Sequence, residues 1–400
     1  MSYLTFNNGA APATPAAGKT RDYTDSADKR RKYIDENGVI SIMTNWDWKE
    51  NLLINGDFTL AQRQAAATLT TYSNTTGRTY AADRWGITNE NASVQYQRVD
   101  SISATETNLN ARYYGRFKKI TSAGKIVVSQ VLEGTNSSPL RGRTVRFQAK
   151  MRFSVAGSMT VRLGLIYLTS SGTTDTIPAT FVSAFGAAST DPTWGTNLTA
   201  LAPVTVDGGS ISGNGMTCVL TSSWVRYSAT FSIPSSAKNV LAVIWTNGQP
   251  AANDELNITE AGLYDGAEIM DWTPRLFPQE LGLCQRYYVK TFPWDTAPVQ
   301  NGGTGGAITG ILGKAGATAL AALLTWRFPV NMRGTPATNT SYNPSAANAQ
   351  IRQTTGTAAD LTATALSAAN ETAINCSGTG AGTGAVGDGV AVHISCDAEI

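Results

Sequence analysis

Apolar and polar residues along this 400-residue chain alternate with a period of two in many short runs, and turn formers separate the runs. In residues 144–153, Val145, Phe147, Ala149, Met151 and Phe153 point one way, and Arg146, Gln148, Lys150 and Arg152 the other. Residues 224–233 repeat the pattern with Val225, Tyr227, Ala229, Phe231 and Ile233 inward. Similar β-type runs fall at 94–99, 115–120, 126–132, 160–168, 239–246 and 256–264. Many antiparallel strands without long helices predict a jelly-roll sandwich over 51–275. The polar stretch 170–214 is too long for an ordinary connection and predicts an elaborate surface loop or an extra hairpin.

Helical spacing occurs at 276–292. Pro278 suits a first helical position, Glu280 falls in the first turn, and Leu281, Cys284 and Tyr288 recur on one side. This stretch reads as a short helix turning into a strand, a hinge between two sandwich-type domains. Beyond it, alternation returns at 326–332, 349–353 and 390–394, which predicts a C-terminal β-sandwich over 293–400. At the other end, residues 1–20 are rich in Ala, Pro and Gly and predict an extended arm. Glu36-Asn37-Gly38 then predicts a hairpin turn inside 29–42. A hairpin that small cannot bury a core alone, so it is expected to dock on something else.

Composition narrows the function classes. Charged residues are 15% of the chain and the net charge is +2, so neither nucleic acid nor an anionic membrane is implied as a partner. Residues 29–32 (Lys-Arg-Arg-Lys) are surrounded by acids and read as a solvated face. Cys218, Cys284, Cys376 and Cys396 are widely spaced and are expected as buried free thiols. The N-terminus has no basic-then-apolar signal pattern, and no apolar run approaches membrane-spanning length. From residue 301 the charges are Lys314, Arg327, Arg333, Arg352, Asp360, Glu371, Asp388, Asp397 and Glu399, few enough that self-association is expected to hide much of this surface.

Catalytic constellations are thin. The single histidine, His393, sits in the apolar alternation Val390-Ala-Val-His-Ile394, where a structural hydrogen bond is the expected role. Asp265, Glu268 and Asp271 cluster near 276–292, as a glycosidase pair would require. Gly18-Lys19-Thr20 lacks the upstream glycine of a phosphate loop. Glycan recognition uses aromatic faces with polar neighbours, and Trp194, Trp294 and Tyr342 lie in polar turns suited to it. Trp85, Trp224, Trp245, Trp272 and Trp326 read as core.

The segments Asn51-Leu-Leu-Ile-Asn-Gly-Asp-Phe58 and Tyr80-Ala-Ala-Asp-Arg-Trp85 resemble the jelly-roll opening of bacteriophage appendages and related carbohydrate-binding modules. Residues 261–275 (AGLYDGAEIMDWTPR) with 280–288 (ELGLCQRYY) are similar to the segment that closes that module and enters a fibre tip. Residues 326–336 (WRFPVNMRGTP) resemble a strand of such tips, and the N-terminal region resembles a small virion-anchoring module.

The chain is thus similar to phage tail-fibre and receptor-binding proteins over nearly its whole length. The resemblance implies a mainly β homotrimer: virion-anchoring arm and hairpin (1–50), jelly roll (51–275), hinge helix and strand (276–292) and receptor-binding tip (293–400). It implies a non-enzymatic virion protein, made in the host cytoplasm, whose N-terminus binds a tail, baseplate or capsid protein and which attaches to host surface polysaccharide. A capsid head fibre and a polysaccharide-degrading tailspike are the alternatives. No cofactor is expected beyond a structural calcium, which the resemblance implies near Asp57 and Asp271. Leu281, Leu283 and Tyr287 are the candidate trimer contacts, where three copies would meet below the tip.

Overall fold

The computed structural model describes residues 8–10, 12–25, 31–34, 36–38, 40–42, 50–64, 68–73, 76–91, 93–120, 123–153, 158–315, 319–356, 359–380 and 384–400. The chain divides into two compact units, Met1–Glu50 and Asn51–Ile400. The expected surroundings of the basic run fall partly outside the described residues.

In the first unit the predicted hairpin forms. Arg31–Ile34 pairs antiparallel with Ile40–Ile42, and Gly38 takes the left-handed backbone (φ +76°) that the turn demands. The hairpin does not stand alone, because Arg21–Asp25 pairs with Arg31–Ile34 and Asn8–Gly9 pairs with Arg21–Asp25 in a four-stranded sheet. Tyr23 and Ile34 are buried in this unit. The two extra strands were hidden in an arm and a charged run that carry little β-type patterning.

The second unit is mainly β and opens with a jelly-roll sandwich. One sheet runs Ser210–Ser212, Gly215–Leu220, Met159–Leu168, Val240–Thr246, Ile126–Val131, Trp85–Asn89, Thr79–Ala82, with Leu198–Ala200 also pairing Met159–Leu168. The other runs Thr205–Asp207, Val225–Ser232, Thr144–Phe153, Glu255–Asp265, Tyr113–Lys119, Val94–Asp100, Thr70–Tyr72. All eight predicted runs are strands. Val145, Phe147, Ala149 and Met151 are fully buried between the sheets, opposite Leu163, Leu165 and Ile244 of one continuous core. Val225 departs from its predicted inward set and is 37% exposed, at the first residue of its strand. The polar stretch 170–214 covers the outer face of the first sheet, where Phe181, Val182 and Leu198 pack on Val127, Leu241 and Trp245. Lys125 fixes that cover by donating to the carbonyls of Phe185, Ala187 and Thr190 at 2.6–2.8 Å.

The NGDF opening is a locked corner. Asn51 Oδ1 accepts from Leu53 and Leu263 N–H, and Asn55 Nδ2 donates to the carbonyls of Leu60 and Asp83. A Cβ on Gly56 would lie 2.1 Å from the Ala261 carbonyl oxygen, so only glycine fits. Phe58, in left-handed backbone, stacks on Trp85 and meets Phe117 edge-on. A side chain so fully buried contributes about 1.5–3 kcal/mol.

Residues 288–397 form a smaller β-layered region with its own core of Val289, Leu324, Ile351, Ile374, Val392 and Ile394. Gly389–Asp397 is its central strand, pairing with Tyr288–Lys290, Ile308–Ile311, Thr338–Tyr342 and Arg352–Gln353. A second sheet holds Gly313–Ala315, Ala319–Arg327, Ala373–Thr379 and Thr362–Ser367. The four cysteines are free and buried.

The helix Phe277–Gln285 runs straight into Tyr288–Lys290, as predicted, and ion pairs tie the residues around it. Glu280 is buried and accepts from Asn55 N–H and from Arg275, and Arg275 also donates to the carbonyls of Asn51 and Leu53. Arg84 lies 3.4 Å from the centroid of the Tyr287 ring, pairs with Glu399 and donates to the Val131 carbonyl. Arg63 sits between Asp397 (2.8 Å), Glu399 (3.5 Å) and Asp83 (3.6 Å), over the Tyr288 ring. The two β regions are therefore joined by a buried ionic seam.

That seam changes the picture of the expected trimer contacts. Tyr287 is buried within this chain under Arg84, and Leu281 and Leu283, half-buried, pack toward Ile54, Leu60 and Cys284. The apolar stripe is used inside the chain, and Tyr287 has no surface left for a second copy.

Two outcomes follow from the seam. Arg84→Met removes the nearer of the two guanidiniums beside the Glu399 carboxylate, leaving Arg63 at 3.5 Å, and is expected to cost about 3 kcal/mol. Arg84→Met/Glu399→Leu should cost less than Arg84→Met alone, as read from denaturant unfolding. Burial lowers the pKa of Lys290 to about 8, from an ordinary 10.5. Between those values the unfolded chain holds more protons, so stability rises with pH from about 8 to about 10.5. Lys290→Met should flatten that rise in the melting temperature; an unchanged slope would contradict the assignment.

Candidate functional site

A cleft begins at the locked corner and runs onto the outer face of the second sheet. Its first half has a volume of about 430 Å3 and is lined by Tyr113, Trp272, Phe277 and Trp294 with Asp57, Thr59, Asn110, Arg112, Arg275 and Glu280. Its second half, about 340 Å3, is lined by Gln148, Lys150, Asp207, Arg226, Glu260 and Asp271. Asn110 and Trp272 line both halves, so Trp272 marks the point where they meet.

Local structure fixes each wall. Alternation in Thr144–Phe153 sends Gln148 and Lys150 outward while Phe147, Ala149 and Met151 fill the core. Two segments then fold over this face. On one side Lys150 Nζ donates to the Asn108 carbonyl, and Glu260 Oε1 accepts from Asn110 N–H at 2.5 Å and Ala111 N–H at 3.2 Å. On the other, Arg146 donates to the Ala267 carbonyl and Gln148 Nε2 to the Met270 carbonyl at 2.6 Å. The second half of the cleft opens between these flaps. Gln148 is 1% exposed, and its Oε1 accepts no hydrogen bond among the described residues.

The aromatic half is held by ring contacts. Trp294 meets Phe277 edge-on at 5.1 Å, and Arg98 lies 5.0 Å from the Trp294 ring and 4.9 Å from that of Tyr113. Asp57 Oδ1 accepts from Thr59 N–H at 3.2 Å and Oδ2 from Thr59 Oγ1 at 2.5 Å, a turn-capping pattern. Burial pushes the pKa of Asp57 and of Glu280 upward. An aromatic floor with fixed amide, hydroxyl and carboxylate groups suits a ligand that has both C–H faces and hydroxyls.

Of the three aromatic candidates from sequence, Trp294 lines the cleft. Trp194 is half-buried in the cover over the first sheet, edge-on to Trp245 at 5.4 Å and tilted against Phe181. Tyr342 belongs to the C-terminal region, where its ring meets Phe292 and its hydroxyl lies 3.1 Å from Ser395 Oγ. The three are not brought together.

Nor do the candidate calcium ligands converge. Asp57 caps its turn in the first half, whereas Asp271 is exposed in the second, 3.5 Å from Arg226. No group of three or more His, Cys, Asp or Glu able to hold a metal occurs among the described residues.

His393 is fully buried, with Nδ1 2.8 Å from Thr291 Oγ1, Nε2 3.0 Å from the Gly303 carbonyl and its ring stacked on Phe292. Burial lowers its pKa.

Trp272 was read as core and is indeed 7% exposed, yet it is the shared wall of the cleft. Gln148 and Lys150 were identified as outward-facing without a role. Tyr113, Arg112, Asp207 and Glu260 carried no sequence signal, because the flaps that gather them are irregular segments.

No protein-family model matches this chain, and no curated protein matches it. Among solved structures, the chain is 12% identical to a family 61 carbohydrate-binding module in complex with β-1,4-galactotriose, over 54% of this chain and 99% of that one, with a TM-score of 0.29. It is 13% identical to a putative sugar-binding protein from Bacteroides thetaiotaomicron, over 54% and 100%, TM-score 0.30. The enzymatically active domain of tailspike protein 4 from bacteriophage CBA120 is 10% identical, over 54% of this chain and 21% of that chain, TM-score 0.29.

Proposed function

We propose that this chain is a non-catalytic glycan-binding protein of a phage appendage, whose cleft at Trp272 holds host surface polysaccharide. The observation that carries the reading is the cleft itself, with Tyr113, Trp272, Phe277 and Trp294 beside Gln148 and Asn110 on a rigid sandwich. Sugar rings stack their C–H faces on such rings while planar polar groups take the hydroxyls. The buried, doubly bonded His393 supports a binding role over a histidine-dependent hydrolase.

The wider assignment joins two further observations. The separate four-stranded unit at Met1–Glu50 is suited to holding a tail, baseplate or capsid protein. In the C-terminal sheet, Leu323 (70% exposed) lies beside Ser377, and Thr325 beside Asn375, on a face whose outward residues in Ala319–Arg327 carry charge only at Arg327. Such a face suits contact with further copies in a homotrimer. Three weak contacts on one particle would then add through avidity.

Purified host polysaccharide should bind the full chain without release of reducing ends, and Trp294→Ala should weaken binding by about tenfold or more, equivalent to roughly 1.4 kcal/mol. Calorimetry alongside a reducing-sugar assay reads both. Unchanged affinity in Trp294→Ala would place binding elsewhere, and steady release of reducing ends would replace binding by hydrolysis.

A further inference from the structure

The charges around the cleft say which glycans it accepts. Its lining carries four cations, Arg112, Arg275, Lys150 and Arg226, and five carboxylates, Asp57, Glu280, Asp207, Glu260 and Asp271. Each cation is already matched. Lys150 lies 3.3 Å from Glu260, Arg226 3.5 Å from Asp271, Arg275 3.1 Å from Glu280, and Arg112 3.1 Å from Asp100 on the rim. Lys150 also gives a hydrogen bond to the Asn108 carbonyl, and Arg275 two more to the Asn51 and Leu53 carbonyls.

Recognition of a uronate, sialate or sulfate is favoured by the reverse arrangement, a guanidinium or ammonium with no carboxylate already beside it. Here an anionic sugar would meet Asp207, which is exposed in the second half, and would share each cation with the carboxylate already beside it. Uncharged hydroxyls, which can both donate and accept, face no such conflict.

We propose that the cleft selects a neutral glycan chain lying across Trp272, with one sugar over the aromatic half and the next in the polar half, and discriminates against acidic glycans. This rests on the glycan-binding reading above. Two walls meeting at one tryptophan also imply that a single sugar cannot satisfy both halves.

The test is calorimetric titration of the full chain with neutral oligosaccharides of hexose and pentose units, and with oligogalacturonates of equal length, at low and high salt. At least one neutral oligosaccharide should bind at least tenfold more tightly than any oligogalacturonate, more tightly than its own monosaccharide, and with little salt dependence. Asp207→Asn should narrow the gap between the two classes. Tighter binding of oligogalacturonates, weakening steeply with salt, would overturn the neutral preference yet leave glycan binding standing. Binding of neither class, to a chain that melts normally, would overturn both.

Discussion

The arrangement of residues 51–400 depends on one buried guanidinium. Arg84 lies in left-handed backbone beside Trp85, faces the Tyr287 ring at 3.4 Å, pairs with Glu399 and donates to the Val131 carbonyl. Its neighbours extend the tie through Arg63, Asp397 and Tyr288 on one side and through Glu280 and Arg275 on the other. A single charge in such a place would be costly; several of both signs, each hydrogen-bonded, hold two β regions in one register. The acidic end of the last strand is therefore part of the sandwich's foundation.

Rigidity there bears on the cleft. Glu280 is at once a seam residue, accepting the Asn55 N–H, and a wall of the aromatic half. Trp294 follows the helix by a few residues and closes the same wall against Phe277. The corner that starts the jelly roll, the helix that leaves it and the cleft are consequently one construction. A ligand that uses stacking gains most from walls already in place, because little side-chain freedom remains to be lost.

Much of the architecture was legible in the sequence, for reasons that can be named. Alternation placed Thr144–Phe153 to the residue, and the other sandwich runs within a residue or two, because one face of each strand must fill the core. Asn37-Gly38 gave the N-terminal turn, and Pro278 with Glu280 gave the helix start. What failed was anything set by long-range partners. The stripe of the helix looked like a contact for other copies, and nothing in its spacing showed that Ile54, Leu60 and Arg84 would cover it. The cleft was legible only as fragments: Trp294 in a polar turn, Gln148 and Lys150 on an outward face. Trp272 reads as core from its place in the segment 261–275 and is almost fully buried, whereas its role as a wall comes from the flaps around it.

The central claim is that sugar is bound along the outer face of the second sheet, across Trp272. A crystal structure of the full chain with a bound neutral oligosaccharide tests it most directly. The account predicts density for one sugar against Trp294 and Phe277 and for the next beside Gln148, with the Arg84 seam unmoved. Density only over the C-terminal sheets, near Tyr342, with the cleft holding water, would contradict it.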